Sequence, residues 1–302
     1  MKSIAAHTMT TPDIIGITAA LGSAASWALG TLLYKQLGTS LSSSAMTFMQ
    51  GVIGVLLLGS LTLVTNDYFL LSPISCCYLA LSGFLGIALS GNFFFRALRE
   101  TGAQTLTLFF TLGQVTTVLL AIVLLGERLS FSGWLGISMI AAGITAGILP
   151  SHCSASPSSL RGIVYGMTSI ILMSCAAILT KKGLDGGIST TYATFIRMLS
   201  GTCGMLFLGV ITRRLNDWVN PFREHHLIWK FIGVTVIITF GGFWLSIVAF
   251  KHTTVTTASS LIAMEPIMVL LLSFLFMKHK VTFRSIIGVT IATTGAIFLC
   301  TG

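Results

Sequence analysis

Charged side chains are scarce in this chain: only 8% of its 302 residues are Asp, Glu, Lys or Arg, whereas 54% are hydrophobic. Soluble domains carry about 25% charged residues, so the scarcity excludes a soluble globular protein and indicates an integral membrane protein. The formal net charge is +9. The basic residues occur singly or in pairs between apolar segments, as at membrane interfaces, and do not indicate binding to nucleic acid.

Catalytic and metal-binding motifs are also missing from the sequence. It contains no CxxC pair, no GxxxxGK[ST] phosphate loop, no HExxH and no GxSxG. These absences argue against a zinc site, an ATP-hydrolysing domain and a serine nucleophile. The six histidines lie in loops or at segment ends, which disfavours a histidine proton relay. We therefore expect no enzyme activity, no metal and no cofactor.

Long apolar segments make up most of the chain. A bilayer core is about 30 Å thick, so a spanning helix needs about 20 apolar residues. The segments are too continuous for the short alternating strands of a barrel, and the sequence predicts an all-α membrane protein. The first segment is longer than that of a signal peptide and follows only one basic residue, Lys2, so we expect it to be retained. The ten predicted transmembrane helices are roughly 14–34, 45–65, 74–95, 103–125, 132–150, 161–180, 190–211, 228–250, 256–277 and 283–301.

The two halves of the chain are similar to each other. A shift of 146 residues in the first segment, and of 152 after the end of the third, aligns many identical residues. A constant shift over a long stretch indicates an internal repeat. The aligned pairs include Gly16 with Gly162, Ser23 with Ser169, Thr101 with Thr253, Gly136 with Gly288 and Gly143 with Gly295.

The repeat predicts the topology. Residues 1–150 form the first five-helix unit, 151–160 form a linker, and 161–302 form the second unit. Because five is odd, the two copies must enter the membrane in opposite directions. Two inverted repeats around a central cavity are a plan that many secondary transporters use.

Two ionisable residues lie deep inside predicted spans. Glu265 is fourteen residues after Lys251 and thirteen before Lys278, which places it about 20 Å along the axis from either charge. Arg197 lies at a similar depth in the seventh span. A charge at the bilayer centre costs at least about 2.5 kcal/mol, so we expect both side chains to face one central cavity and to bind solute.

A structural ion pair between Arg197 and Glu265 is the alternative interpretation. Their repeat counterparts, Gln50 and Gly113, carry no charge, so the charged chemistry belongs to the second half alone. If protons drive transport, Glu265 is the only carboxylate available in the middle of the membrane.

Less polar candidates complete the predicted site. Pro266 cannot donate a hydrogen bond to the carbonyl of Ile262, and it is a candidate hinge beside Glu265, with a tolerated kink as the alternative. Further residues are polar or aromatic and lie well inside their spans, so they could line the cavity. Packing without solute contact is the alternative. These residues are Trp27, Gln50, Asn92, Gln114 and Trp244.

Several stretches resemble the drug/metabolite transporter superfamily, in its ten-helix EamA-type branch. The segment LLGERLSFSGWLGISMIAAGI (124–144) resembles the motif that closes each family repeat, and FLFMKHKVTFRSIIGVTIATTGAIFL (274–299) is its second copy. AMEPIMVLL (263–271) resembles the ninth family helix. The chain departs from the pattern at Lys278 and His279, which replace Gly-Glu, and at Gln114 and Gln50, where Pro and a basic residue are common.

The resemblance implies a secondary transporter in the cell inner (plasma) membrane, a monomer or homodimer in the lipid bilayer. Its solute would be a small polar metabolite such as an amino acid, a related zwitterion or an organic cation. A passive channel-like facilitator and an exchanger of the S-adenosylmethionine type stay open as alternatives. The family is drawn with both termini in the cytoplasm, yet eleven of the seventeen Lys and Arg residues then fall outside, against the positive-inside rule.

Overall fold

The computed structural model describes residues 11–37, 41–65, 72–148, 160–185, 187–223, 225–277 and 283–301. Helices make up nearly all of these ranges, and no strand occurs within them. Two π-helical segments, Phe84–Leu89 and Ile237–Trp244, and a 3₁₀ turn, Asn220–Arg223, interrupt the α-helices. The α-helices are α1 (Thr11–Leu37), α2 (Ser43–Thr65), α3 (Pro73–Gly83), α4 (Ser90–Leu125), α5 (Phe131–Ile148), α6 (Leu160–Leu184), α7 (Thr190–Ile211), α8 (Leu215–Val219), α9 (His225–Val236), α10 (Leu245–His252), α11 (Val255–Ile262), α12 (Glu265–Met277) and α13 (Phe283–Thr301).

The all-α membrane fold is confirmed. Within the described ranges, six helical stretches are long and apolar enough to cross a bilayer, and four shorter apolar helices accompany them. Together they correspond to the ten predicted spans. The long stretches are Asp13–Tyr34, Ser43–Thr65, Pro73–Ala97, Leu160–Leu184, Thr190–Ile211 and Leu227–His252. The shorter ones are Leu112–Leu125, Phe131–Gly143, Val255–Val269 and Ile286–Phe298.

Helix α4 covers the end of the third predicted span and the whole of the fourth, and it is not straight. Ser90 Oγ donates to the carbonyl of Ser169 at 3.0 Å, and Thr117 Oγ1 donates to Ser174 Oγ at 2.9 Å. Ser169 and Ser174 are five residues apart in α6, about 7.5 Å along a helix axis. A straight helix would place Ser90 and Thr117 about 40 Å apart, so the axis of α4 changes direction between them.

This bend replaces the gap that the sequence predicts between the third and fourth spans. The charged residues Arg96 and Glu100 stay within helical backbone. The reason is local: residues 90–125 contain no proline, so no residue in that stretch lacks the N–H that a helix needs.

The pairing of α5 with α13 shows the inverted repeat directly. A methyl group on Gly143 would lie 2.5 Å from the carbonyl oxygen of Gly288, and one on Gly295 would lie 2.6 Å from that of Gly136. The shift of 152 residues exchanges these two contacts, since Gly136 corresponds to Gly288 and Gly143 to Gly295. Reciprocal contacts of this kind are the mark of a two-fold axis, and it passes between α5 and α13.

A second pair of contacts obeys the same symmetry. Ser169 Oγ donates to the carbonyl of Ser90 at 3.0 Å, and Ser23 Oγ donates to the carbonyl of Gly242 at 2.9 Å. Ser23 corresponds to Ser169, and Gly242 to Ser90. The first helix of each repeat therefore joins the third helix of the other repeat by a serine hydroxyl.

The segment between α7 and α9, in the gap between the seventh and eighth predicted spans, is not an irregular loop. It contains the short helix α8 and the 3₁₀ turn. Trp218 in α8 is buried, and its ring lies 5.9 Å from that of Phe48. Burial of the indole body accounts for the order of this segment.

Candidate solute-binding site

A cavity of about 80 Å³, which we call the central cavity, lies between the two repeats. Its wall is largely aromatic and aliphatic, with a few hydroxyl and amide groups, as is usual for sites that bind small organic molecules. The residues that line it are Trp27, Thr31, Tyr34, Thr47, Gln50, Gly86, Ile87, Ser90, Gly91, Phe94, Phe95, Ser169, Met173, Ile238 and Phe243.

The central cavity extends from the middle of the helix bundle toward one face. Its lining includes the last turns of α1, the first turns of α2 and the middle of α6. In a fold of two inverted five-helix units, the end of α1 and the start of α2 lie on the side opposite the start of α1. We call the side on which α1 starts the N-terminal face, and the other side the opposite face.

Both π-helical segments contribute to the wall of the central cavity. They occupy equivalent positions in the two repeats, because a shift of 152 residues carries 84–89 onto 236–241. Gly86 and Ile87 come from the first, and Ile238 and Phe243 from the second. Wider turns of this type are frequent at functional sites, and here they occur in each repeat at the level of the cavity.

Glu265 is held at a break in the predicted ninth span. Helix α11 ends at Ile262 and α12 begins at Glu265, because Pro266 has no N–H for the carbonyl of Ile262. The Glu265 carboxylate is 5% exposed. Thr31 Oγ1 in α1 donates to its Oε1 at 3.2 Å, and Thr31 itself lines the central cavity. The Thr31 side chain therefore separates the Glu265 carboxylate from the cavity.

Arg197 lies behind a different part of the wall. A methyl group on Gly86 would lie 3.6 Å from one of its Nη atoms, and Gly83 packs against its backbone. The side chain is 8% exposed, and its Nε has no hydrogen-bond partner among the described residues. Gly86 lines the central cavity and has no side chain, so the Arg197 guanidinium lies close to the cavity at this position.

Arg197 and Glu265, both within the described ranges, do not form an ion pair. The structural ion pair considered as an alternative is therefore absent from this conformation. Each charge is instead reached from the central cavity through one small residue, Gly86 or Thr31. An arrangement of this kind keeps opposite charges separate and close to a shared space, in which a ligand with both charges could contact each of them.

The other predicted site residues are divided among several environments. Trp27 and Gln50 line the central cavity. Gln114 lines a smaller cavity among α4, α5 and α11. Asn92 Oδ1 accepts a hydrogen bond from Ser44 at 3.2 Å, and Trp244 Nε1 donates to Thr191 Oγ1 at 3.3 Å. Neither Asn92 nor Trp244 is among the described residues that line the central cavity.

On the N-terminal face, a carboxylate from the first repeat caps a helix of the second repeat. Gly126 ends α4 in the left-handed conformation, with φ of 68°, and turns Glu127 toward the start of α11. Its two oxygens accept from the backbone N–H groups of Val255 at 2.8 Å and Thr256 at 2.9 Å. Free N–H groups and the helix dipole both favour a carboxylate at a helix N-terminus.

Two lysines also join helix ends on this face. Lys181 Nζ donates to the carbonyls of Phe250 at 2.6 Å and Thr253 at 2.9 Å, at the end of α10. Lys251 Nζ donates to the carbonyl of Ile188 at 2.8 Å. We call Glu127, Lys181 and Lys251 the N-terminal gate, because they tie together the helix ends on that face.

Sequence reasoning did not predict the gate, or the role of Thr31 beside Glu265. The only available signal for Glu127 was its place after a glycine that could end a helix. The residues at the corresponding place of the second repeat, Lys278 and His279, lie outside the described residues. The predicted linker, residues 151–160, also lies outside them except for Leu160, which begins α6.

Comparison with known proteins identifies the family. The chain matches the EamA-like transporter family over residues 14–147 and 160–301. It belongs to that family. An uncharacterized transporter of Clostridium kluyveri is 23% identical over 225 residues, which are 73% of this chain and 70% of that one. A solved crystal structure of another protein is 16% identical, covers 96% of both chains and has a TM-score of 0.74, which shows the shared fold.

Membership of the EamA-like transporter family assigns a role in membrane transport. The chain is a multi-pass membrane protein whose partners are a small-molecule solute and the surrounding lipid. Family membership therefore points to a transport role.

Proposed function

We propose that this EamA-like transporter is a secondary carrier for a small zwitterionic metabolite, such as an amino acid, in the cell inner membrane. A related organic cation belongs to the same solute class. The observation that carries the proposal is the buried Arg197, whose Nε has no partner in the described part of the chain, next to the cavity wall at Gly86. A buried guanidinium without a partner is costly, and an anionic group of a solute would offset that cost.

The walls of the central cavity supply complementary groups for the rest of such a solute. A carboxylate of the solute would pair with Arg197, and an ammonium group would approach Glu265 where Thr31 borders the cavity. The rings of Trp27 and Phe243 meet edge to face, with centroids 4.9 Å apart. Such a pair offers an apolar surface for the body of the solute and π faces for a cation.

Alternating access is supported by the asymmetry of this conformation. The cavity extends from the middle of the helix bundle toward the opposite face, whereas the N-terminal gate ties helix ends together on the other face. Inverted repeats allow the two sides to exchange roles. Pro266, at the break between α11 and α12, is the proposed hinge because a break can absorb a change in helix direction.

A proton is the coupling partner that the sequence suggests for this carrier. Glu265 is a carboxylate that can bind either a proton or an ammonium group, and Thr31 keeps it close to the cavity. The carrier would work as a monomer or a homodimer, because each chain has both repeats and its own central cavity.

The experiment has two steps. Purified protein is first screened by thermal unfolding against amino acids, nucleosides and sulfonium metabolites, because a bound solute raises the melting temperature by mass action. The best solute is then tested for counterflow in proteoliposomes. Saturable flux with counterflow supports the carrier. Flux that does not saturate and shows no counterflow contradicts it and favours a channel-like facilitator. Counterflow with a sulfonium metabolite alone would favour the exchanger.

A further inference from the structure

Helix α11 carries buried hydroxyl groups of an unusual kind. Thr256 and Ser260 are 2% and 4% exposed, and within the described residues neither hydroxyl has a hydrogen-bond partner. Several buried threonines elsewhere bond to the carbonyl four residues earlier, as Thr180 does to Ala176 at 2.7 Å, whereas Thr239 likewise has no partner among the described residues. Leaving a buried hydroxyl unsatisfied is unfavourable, and a ligand that bonds to both hydroxyls would remove that cost.

The end of α11 presents carbonyl oxygens beside these hydroxyls. The N–H of Met264 donates to Leu261 at 3.1 Å, and the N–H of Ile267 donates to Met264 at 2.9 Å. In a regular helix these two N–H groups would donate to the carbonyls of Ser260 and Ala263, which therefore lose their usual donors. The carbonyl of Ile262 has no donor four residues on, because residue 266 is proline. Such interrupted helix ends coordinate coupling cations in secondary transporters.

A small cavity lies at this place, separate from the central cavity. Its volume is about 10 Å³, close to the space that one water molecule needs. Its polar lining consists of the Gln114 amide and Ser260, and Ala263 also borders it. Thr256, Ser260 and Ala263 lie on one face of α11, since they are spaced by four and three residues. The remaining lining residues are Val115, Val118, Ile137, Ile140 and Ala141.

We propose that Gln114, Thr256 and Ser260, with the carbonyl oxygens at the end of α11, bind a Na⁺ ion that is coupled to transport in addition to the proton proposed at Glu265. The site offers neutral hydroxyl, amide and carbonyl oxygens, which are hard ligands. Calcium usually takes several carboxylates and six or more oxygens, and magnesium keeps several waters. A cavity of this size and composition suits one small monovalent cation.

The position of the site suggests how the ion would act. Gln114 belongs to α4 of the first repeat and Ser260 to α11 of the second, so a shared ion would join the repeats. Glu127 bonds the N–H of Thr256, so the carboxylate of the N-terminal gate lies one turn from the site. Bound Na⁺ would therefore stabilise the conformation that is closed on the N-terminal face. This coupling rests on the proposed carrier function, whereas ion binding itself does not.

Thermal unfolding of the full-length protein in detergent tests the binding without any solute. Melting temperatures are compared in NaCl, KCl and choline chloride at equal ionic strength. We expect a saturable increase that is specific to Na⁺, and we expect Ser260→Ala and Thr256→Val to raise the Na⁺ concentration at its midpoint at least tenfold. Without Na⁺, both variants should be as stable as the parent protein, because each removes an unsatisfied hydroxyl.

Matched controls remove buried hydroxyls that already have partners. Ser82 Oγ donates to the Leu79 carbonyl and Thr62 Oγ1 to that of Gly59, both at 2.8 Å. Ser82→Ala and Thr62→Val should keep the parental response to Na⁺. Equal melting temperatures in the three salts, or equal responses of site and control variants, would overturn the proposal and assign the cavity to a water molecule.

Uptake into proteoliposomes with and without a Na⁺ gradient then tests the coupling. Faster uptake with an inward Na⁺ gradient, lost in Ser260→Ala, supports it. Equal uptake in Na⁺ and choline overturns the coupling even where Na⁺ binds. Absence of counterflow for every solute contradicts the carrier function instead, and it leaves the thermal result for Na⁺ unaffected.

Discussion

Thr31 in α1 donates a hydrogen bond to the Glu265 carboxylate in α12, at 3.2 Å. This contact joins the first helix of the first repeat to the broken ninth span of the second. It also places the buried carboxylate next to the central cavity, because Thr31 is part of the cavity wall. The Thr31 hydroxyl therefore lies between the Glu265 carboxylate and the cavity.

Replacing Glu265 separates its role in transport from its role in folding. Glu265→Gln should abolish pH-dependent uptake, because the amide cannot exchange a proton or pair with an ammonium group, while it keeps the size of the side chain and an acceptor for Thr31. The measurement is uptake into proteoliposomes at several pH values, with thermal unfolding as the check on folding. Thr31→Ser, which keeps the donor, is the matched control. Unchanged uptake would remove Glu265 from the mechanism.

Replacing Arg197 should separate stability from affinity. Arg197→Met removes a buried charge whose Nε has no partner in the described ranges, so the melting temperature should be equal to or higher than that of the parent protein. The KM for a zwitterionic solute should rise at least about tenfold, which corresponds to about 1.4 kcal/mol. The exposed Arg161 provides a control as Arg161→Met. A large loss of stability with an unchanged KM would show that Arg197 is structural.

The N-terminal gate can be weakened at Glu127. Glu127→Gln leaves one acceptor oxygen for two N–H donors, and it removes the charge that the helix dipole favours, at a cost of about 1 kcal/mol or more. Amide hydrogen exchange at Val255 and Thr256 should therefore become faster. The exposed Glu100 supplies the control, as Glu100→Gln. Unchanged exchange in the Glu127 variant would mean that its carboxylate does not hold α11 in solution.

The crossing of α5 and α13 depends on its glycines. Gly143→Ala places a methyl group 2.5 Å from a carbonyl oxygen, so the helices must move apart, and we expect a loss of about 1–3 kcal/mol. Gly295→Ala should have a similar effect because it is the symmetric contact. Gly233 has no atom within 4 Å of an added methyl, and Gly233→Ala should therefore be neutral or stabilising. Equal melting temperatures for all three variants would contradict this packing.

Much of the fold could be predicted because its cause lies in composition and spacing. The ten spans follow from the length of the apolar segments, and the inverted repeat follows from an odd number of spans in each half. The alignment of Gly143 with Gly295 in the two repeats already indicated that these glycines occupy equivalent positions. The helical bend in α4 could not be predicted, because the charges near Arg96 suggested a loop, whereas the backbone there keeps its hydrogen bonds.

The site was predictable only in part. The depth of Arg197 and Glu265 in the membrane could be read from their distance to the nearest charges. Their surroundings could not, because these depend on residues far away in the chain. Thr31 is 234 residues from Glu265, and Gly86 is in the other repeat from Arg197.

The sequence by itself determined that this protein crosses a membrane in two oppositely oriented halves, because hydrocarbon admits only long apolar helices and an odd number of them reverses direction. Only the tertiary structure decided which side chains reach the central cavity, that Glu127 caps α11 on the N-terminal face, and which hydroxyls of α11 have no partner within the described residues. Those outcomes depend on how helices distant in sequence pack against one another, and hydrophobic pattern alone does not specify that packing.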